Sequence, residues 1–211
     1  MKLSLSRVHF PVTTLGPGRR LGIWVQGCSI RCPGCISSDT WAKKSPDIDV
    51  TELLDRIRPW LHECDGITIS GGEPFEQPEA LEQLLHAIRQ LSRANILAYS
   101  GLPLEKLASL DIVKRGLIDC LVSDPFDVSL GQTRYLRGSD NQRMTCLTAL
   151  GLEVFGDLDR YATDADRRLD VMFDADGQVW LAGIPSRGDM TRLQLILENQ
   201  GTYVKTTEAR A

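Results

Sequence analysis

Three cysteines fall within eight residues, Cys28-Ser29-Ile30-Arg31-Cys32-Pro33-Gly34-Cys35, and no fourth ligand follows nearby. A closed structural zinc site needs four protein ligands, usually two cysteine pairs or cysteines with a close histidine pair. The other cysteines, Cys64, Cys120 and Cys146, are scattered, and His9, His62 and His86 form no pair. Three thiolates arranged this way can hold three irons of a [4Fe–4S] cluster, leaving the fourth iron open to a substrate or cofactor. An open position belongs to a reactive centre, so the chain reads as an enzyme. Cys28, Cys32 and Cys35 are its expected metal ligands and catalytic residues; the competing reading is a metal-free or zinc-bound loop.

A second motif follows the next expected strand. Ile67-Thr68-Ile69-Ser70 is a short apolar, β-branched run of the kind that forms a buried parallel strand. It leads into Gly71-Gly72-Glu73-Pro74, where two glycines without Cβ atoms allow a ligand close to the backbone. Taken alone, the same residues also read as a tight turn with a helix-start acid.

In this order, Cys-x3-Cys-x2-Cys and then Gly-Gly-Glu-Pro resemble the radical S-adenosylmethionine (SAM) superfamily. Further segments narrow the resemblance: Gly16-Pro17-Gly18-Arg19-Arg20, Thr40-Trp41, Tyr99-Ser100-Gly101, Pro125-Phe126, and Leu136 through Arg143. Together they are most similar to the activating enzymes of glycyl radical enzymes, above all the activators of anaerobic ribonucleoside-triphosphate reductase. The resemblance implies a [4Fe–4S] cluster and SAM as cofactors. It implies reductive cleavage of SAM to a 5′-deoxyadenosyl radical, a glycyl radical enzyme as partner, and flavodoxin or ferredoxin as electron donor. It places cofactor contacts at Gly34, Ile36, Gly71, Gly72, Glu73, Ser100, Ser123 and Asp124. Two departures stand out. Gly34 occupies a position that is often aromatic in the superfamily, and Ser123-Asp124-Pro125-Phe126 replaces the Asp-Gly-Pro-Phe usual in the activators. The alternatives are a radical SAM enzyme acting on a small molecule or peptide, and an iron–sulfur electron-transfer protein without SAM chemistry.

The bulk properties agree with a single domain: 211 residues, 42% hydrophobic and 25% charged. A net charge of −4 gives no reason to expect nucleic acid or anionic membrane as a partner. Six cysteines without a disulfide framework, and no signal-peptide stretch in Met1 to Phe10, point to a reducing cytoplasm.

Strand and helix signals alternate. Strands are expected at Leu3–Pro11, Leu21–Val25, Gly66–Ser70, Asn95–Ser100 and Ile118–Ser123. Helices are expected at Val50–His62, bent or interrupted at Pro59, at Pro78–Arg93 and at Leu104–Arg115. This alternation points to an α/β fold with parallel strands and ligands at their carboxyl ends. The resemblance specifies a partial (β/α)6 TIM-like barrel. Residues 1–155 form the expected radical SAM core, and 156–211 an extension packed on it: a hairpin turning at Asp174-Ala175-Asp176-Gly177, then a helix from Asp189 to Asn199. Cys64, Cys120 and Cys146 read as isolated thiols and Trp24 and Trp41 as core residues; Arg137, Asn141, Gln142 and Arg143 read either as a polar loop with helix capping or as a cluster facing SAM or the partner.

Overall fold

A computed structural model describes residues 1–173 and 179–202. In chain order its elements are β1 (Lys2–Leu3), β2 (Leu5–Val12), β3 (Arg20–Val25), β4 (Ile48–Asp49), α1 (Val50–Glu63), β5 (Gly66–Gly71), α2 (Pro78–Leu91), β6 (Asn95–Tyr99), α3 (Leu104–Leu107), α4 (Asp111–Lys114), β7 (Cys120–Ser123), β8 (Arg143–Cys146), α5 (Ala149–Phe155), β9 (Leu169–Phe173), β10 (Val179–Gly183) and α6 (Asp189–Asn199).

The fold is mixed α/β around a six-stranded sheet in the order β2-β3-β5-β6-β7-β8. The four central strands are parallel, whereas β2 and β8 pair antiparallel at the two edges. No pairing joins those edges among the described residues. The alternation of side chains along each strand separates two faces. Leu21, Ile23, Ile67, Ile69, Ile96, Ala98 and Leu121 pack with the apolar stripes of α1 and α2. On the opposite face Leu97, Cys120 and Val122 pack with Leu136 and Phe155.

The hairpin β9–β10 packs by Met172 and Ala182 onto Val12, Leu15 and Trp24. The Asp170 carboxylate ties it down, accepting from Thr13 N at 2.6 Å and from the Thr14 hydroxyl at 2.9 Å. The expected turn at Asp174 to Gly177 lies outside the described residues.

Several expectations are corrected. α1 is not interrupted at Pro59: the helix runs on to Glu63, with Pro59 and Asp55, the residue four before it, both exposed to solvent. The stretch Leu104–Arg115 is two four-residue helices, since Leu110 takes an extended conformation before α4. Neither β8 nor α5 was expected. Four half-buried residues are too few for a period-2 signal, and Gly151 weakens the helical one. That glycine is needed there: a Cβ would fall 2.0 Å from the Asp119 carbonyl oxygen.

Candidate active site

The cysteine loop leaves the carboxyl end of β3 and is held by backbone. Gly27 N donates to Thr40 O at 2.8 Å and Cys28 N to Trp41 O at 3.2 Å. From the neighbouring strand end, Gly72 N donates to Val25 O and Glu73 N to Gly27 O, both at 2.8 Å. Gly71 has φ +97°, and a Cβ on Gly72 would lie 2.2 Å from the Gly27 carbonyl oxygen. The backbone that approaches these glycines is therefore the root of the cysteine loop. Their absent Cβ atoms lock two strand ends together, a role distinct from both the ligand approach and the tight turn read from the sequence.

Cys28, Cys32, Gly34, Cys35, Ile36, Gly71, Gly72, Glu73 and Ser100 line one cavity of about 230 Å³ at the carboxyl ends of β3, β5 and β6. Ser123 and Asp124 are not in that lining. Ser123 is buried, and its hydroxyl donates to Asp124 Oδ2 at 3.0 Å. Asp124 holds a left-handed backbone with φ +80°. This is the glycine position of the Asp-Gly-Pro-Phe pattern, so Ser123 stands where the acid is usual and Asp124 where the glycine is. Asp124 faces Arg143, which reaches its carboxylate at 2.6 and 2.8 Å and also grips Glu105 at 2.6 and 2.9 Å.

Of the polar cluster, only Gln142 reaches the cavity, together with its neighbour Gly138. Arg137 is buried and pairs with Asp159 at 2.6 Å. Asn141 Nδ2 donates to Pro125 O at 2.8 Å, and Gln142 Nε2 to Asp124 O at 3.2 Å. The segment thus braces the Pro125-Phe126 loop, and Phe126 itself lines the cavity.

Glu73 is 1% exposed. Its Oε1 accepts from Phe75 N at 3.1 Å and from the Ser100 hydroxyl at 2.9 Å, and its Oε2 from Gly101 N at 2.8 Å. Burial pushes its pKa up, and these hydrogen bonds oppose that shift. Among the described residues no Lys, Arg or His forms a salt bridge with it.

The thiols sit in a setting that suits a cluster. Burial pushes Cys35 up to about 11 and raises Cys32. Nearby N–H donors oppose the shift, Phe126 at Cys32 and Ser37 and Trp41 at Cys35. Such donors stabilise charge on cluster sulfurs. Among the described residues no three His, Cys, Asp or Glu side chains meet as a single-ion site requires. A four-iron cluster makes a different demand, because each thiolate binds its own iron. Three thiols round one cavity match the number of protein ligands such an open cluster takes.

Some of the lining was not foreseen. Trp41, read as core, lines the cavity beside Cys35. Leu181, Ala182, Gly183, Ile184, Pro185 and Arg187 line the cavity from the hairpin side, and Arg7 on β2 and Tyr99 on β6 also line it. Nothing in the sequence spacing brings residues 181–187 to a site built near residue 30; only packing under Trp24 does so.

Residues 14–145, well over half of the chain, match the family model described as the 4Fe-4S single cluster domain. The chain belongs to that family. The anaerobic ribonucleoside-triphosphate reductase-activating protein of Salmonella typhi is 32% identical over 145 residues, covering 64% of this chain and 93% of its own length. Its counterpart in Enterobacteria phage T4 is 25% identical over 61% of this chain and 85% of its own. The pyruvate formate-lyase-activating enzyme of Staphylococcus aureus (strain USA300) is 38% identical over 96 residues, 43% of this chain and 38% of that enzyme. The resemblance read from the motifs is borne out. The chain is an enzyme of the radical SAM activating group, whose cofactors are a [4Fe–4S] cluster and SAM. No helix among the described residues is long and apolar enough to cross a membrane.

Proposed function

We propose that the chain activates a glycyl radical enzyme of the anaerobic ribonucleoside-triphosphate reductase kind. The observation that carries this reading is one cavity lined by Cys28, Cys32, Cys35 and the buried Glu73 carboxylate. Cys28, Cys32 and Cys35 would hold the cluster, which when bound supplies the electron that cleaves SAM to methionine and the 5′-deoxyadenosyl radical that removes hydrogen from a glycine Cα.

The chain's residues position the substrate and keep the site dry. Glu73, lacking a cation of its own, accepts the methionyl ammonium, and Ser100 with Gly101 fixes the carboxylate's orientation. Ile36 and Leu181 exclude water from the lining. Gly34, with φ +74°, leaves adenine to backbone and to neighbours such as Phe126. Ser123 and Asp124 act behind this wall, by setting the loop that carries Phe126. Residues 1–155 are the core, a reduced form of the partial barrel with four parallel strands, and 156–211 its extension. Flavodoxin or ferredoxin is the electron donor, in an anaerobic cytoplasm.

The cavity's hairpin-side lining supports a second reading, a small-molecule substrate enclosed by the extension. The two separate in one experiment. The cluster-loaded protein, SAM and a reductant are mixed with an anaerobic ribonucleotide reductase and examined by EPR. A glycyl radical doublet on the reductase supports the activase. SAM turnover without that doublet supports the small-molecule reading.

A further inference from the structure

Cys120 and Cys146, far apart in sequence, are direct cross-strand partners on β7 and β8. The Leu147 amide donates to Asp119 O at 2.7 Å, which makes the flanking pair, Asp119 and Leu147, hydrogen-bonded. Antiparallel pairs alternate, so Cys120 and Cys146 occupy a non-hydrogen-bonded position, where Cα atoms approach to about 4.5 Å. A disulfide spans roughly 4.4–6.8 Å between Cα atoms. The two side chains are close enough for each thiol to perturb the other. Cys120 is fully buried and Cys146 only partly so. Neither lines the cavity.

We propose that Cys120 and Cys146 are a reversible oxidation site that takes a low-molecular-weight disulfide as its oxidant. The more accessible Cys146, as thiolate, attacks one oxidant sulfur, releasing one small thiol and forming a mixed disulfide. Cys120 then attacks the Cys146 sulfur and displaces the second small thiol, closing the cross-strand bond. Two protein thiols lose two electrons and two protons, and the oxidant becomes two thiols. The short Cα separation puts the bond at the strained, easily reduced end of disulfide geometry. Its position has a structural consequence. β7 runs on into Ser123 and Asp124, and β8 begins at Arg143, so the bond would staple together the two strands that carry the Asp124–Arg143 pair.

The test treats the cluster-loaded protein anaerobically with oxidised glutathione, traps free thiols with iodoacetamide, and maps peptides without reduction. The expected result is a linked Cys120–Cys146 peptide pair, reversed by dithiothreitol, with the cluster's visible absorbance retained. A Cys120→Ala variant should stop at glutathione on Cys146, which separates failed closure from failed access. Recovery of both thiols as alkylated, or of glutathionylated Cys146 beside alkylated Cys120 in the unsubstituted protein, would overturn the proposal.

Discussion

Gly27 presents its carbonyl oxygen to the Glu73 amide at 2.8 Å, joining the residue before the first cysteine to the acid of the Gly-Gly-Glu segment. Metal-ligand loop and substrate-facing carboxylate are thus one backbone unit, and the contact exists only because Gly72 has no side chain.

Gly72→Ala is therefore expected to push the two strand ends apart. Overpacking of a tight backbone contact costs about 1–3 kcal/mol. Urea unfolding of the metal-free protein should show a loss in that range, and iron incorporation should fall with it. An unchanged midpoint with full iron loading would refute the backbone lock.

Glu73→Gln keeps the volume and removes the charge. Loss of one charge-assisted contact to the methionyl ammonium, about 1.5–3 kcal/mol, corresponds to roughly ten- to a hundredfold weaker SAM binding. Equilibrium dialysis with the cluster-loaded protein measures it, and far-UV circular dichroism checks that the fold persists. Equal affinity would remove Glu73 from the site.

The Asp124–Arg143–Glu105 group predicts an acid dependence. Hydrogen bonds from Arg143 lower Asp124 from its ordinary 3.8, and bring Glu105 from 4.5 to about 2. Folded values below unfolded ones mean stability that is fully present above the ordinary carboxylate range and lost as pH falls towards about 2. The Arg143 and Glu105 side chains are exposed, so solvent screening keeps the effect small. Arg143→Met should lower the urea midpoint near neutrality and flatten the fall through that acid window. Parallel acid limbs for the two proteins would contradict the assignment.

At Asp124 itself, backbone strain and the ion pair oppose each other. Asp124→Gly relieves the left-handed conformation while losing the Arg143 contact, and should be nearly neutral. Asp124→Val loses the contact and puts a β-branched residue at φ +80°, a further penalty of about 1–3 kcal/mol. Thermal melts of the two variants should rank valine well below glycine.

Beneath the sheet, Arg20 is fully buried and donates to Thr68, Asn95 and Ile67 O at 2.6–2.8 Å. Arg20→Met strands those acceptors, and a loss of about 3 kcal/mol or more is expected in chemical denaturation.

The parts of this fold that were legible in the sequence are those with strong local signals. The apolar stripes of α1 and α2, the β-branched run of β5 and the start of α6 at Asp189 all appear where periodicity puts them. What failed depends on partners distant in sequence. β8 exists because Cys120 to Ser123 offers it an edge, and α5 tolerates Gly151 because Asp119 needs the space. In the candidate site, Cys28, Cys32, Cys35, Gly71, Gly72, Glu73 and Ser100 come together in one lining. Ser123 and Asp124 miss it because the Asp124 carboxylate is drawn to Arg143, a pairing across β7 and β8 that no local pattern encodes. The hairpin was legible as an extension packed on the core, but not which of its residues reach the site, for the same reason.

The central claim is that these residues bind a cluster and SAM in one cavity and break the C5′–S bond there. The most direct measurement is 5′-deoxyadenosine formed by anaerobically reconstituted protein with dithionite and SAM. The account predicts product with the native chain, none with Cys32→Ala, and a marked reduction with Glu73→Gln. A fully loaded, reduced cluster that yields no product, and whose EPR spectrum is unchanged when SAM is added, would contradict it.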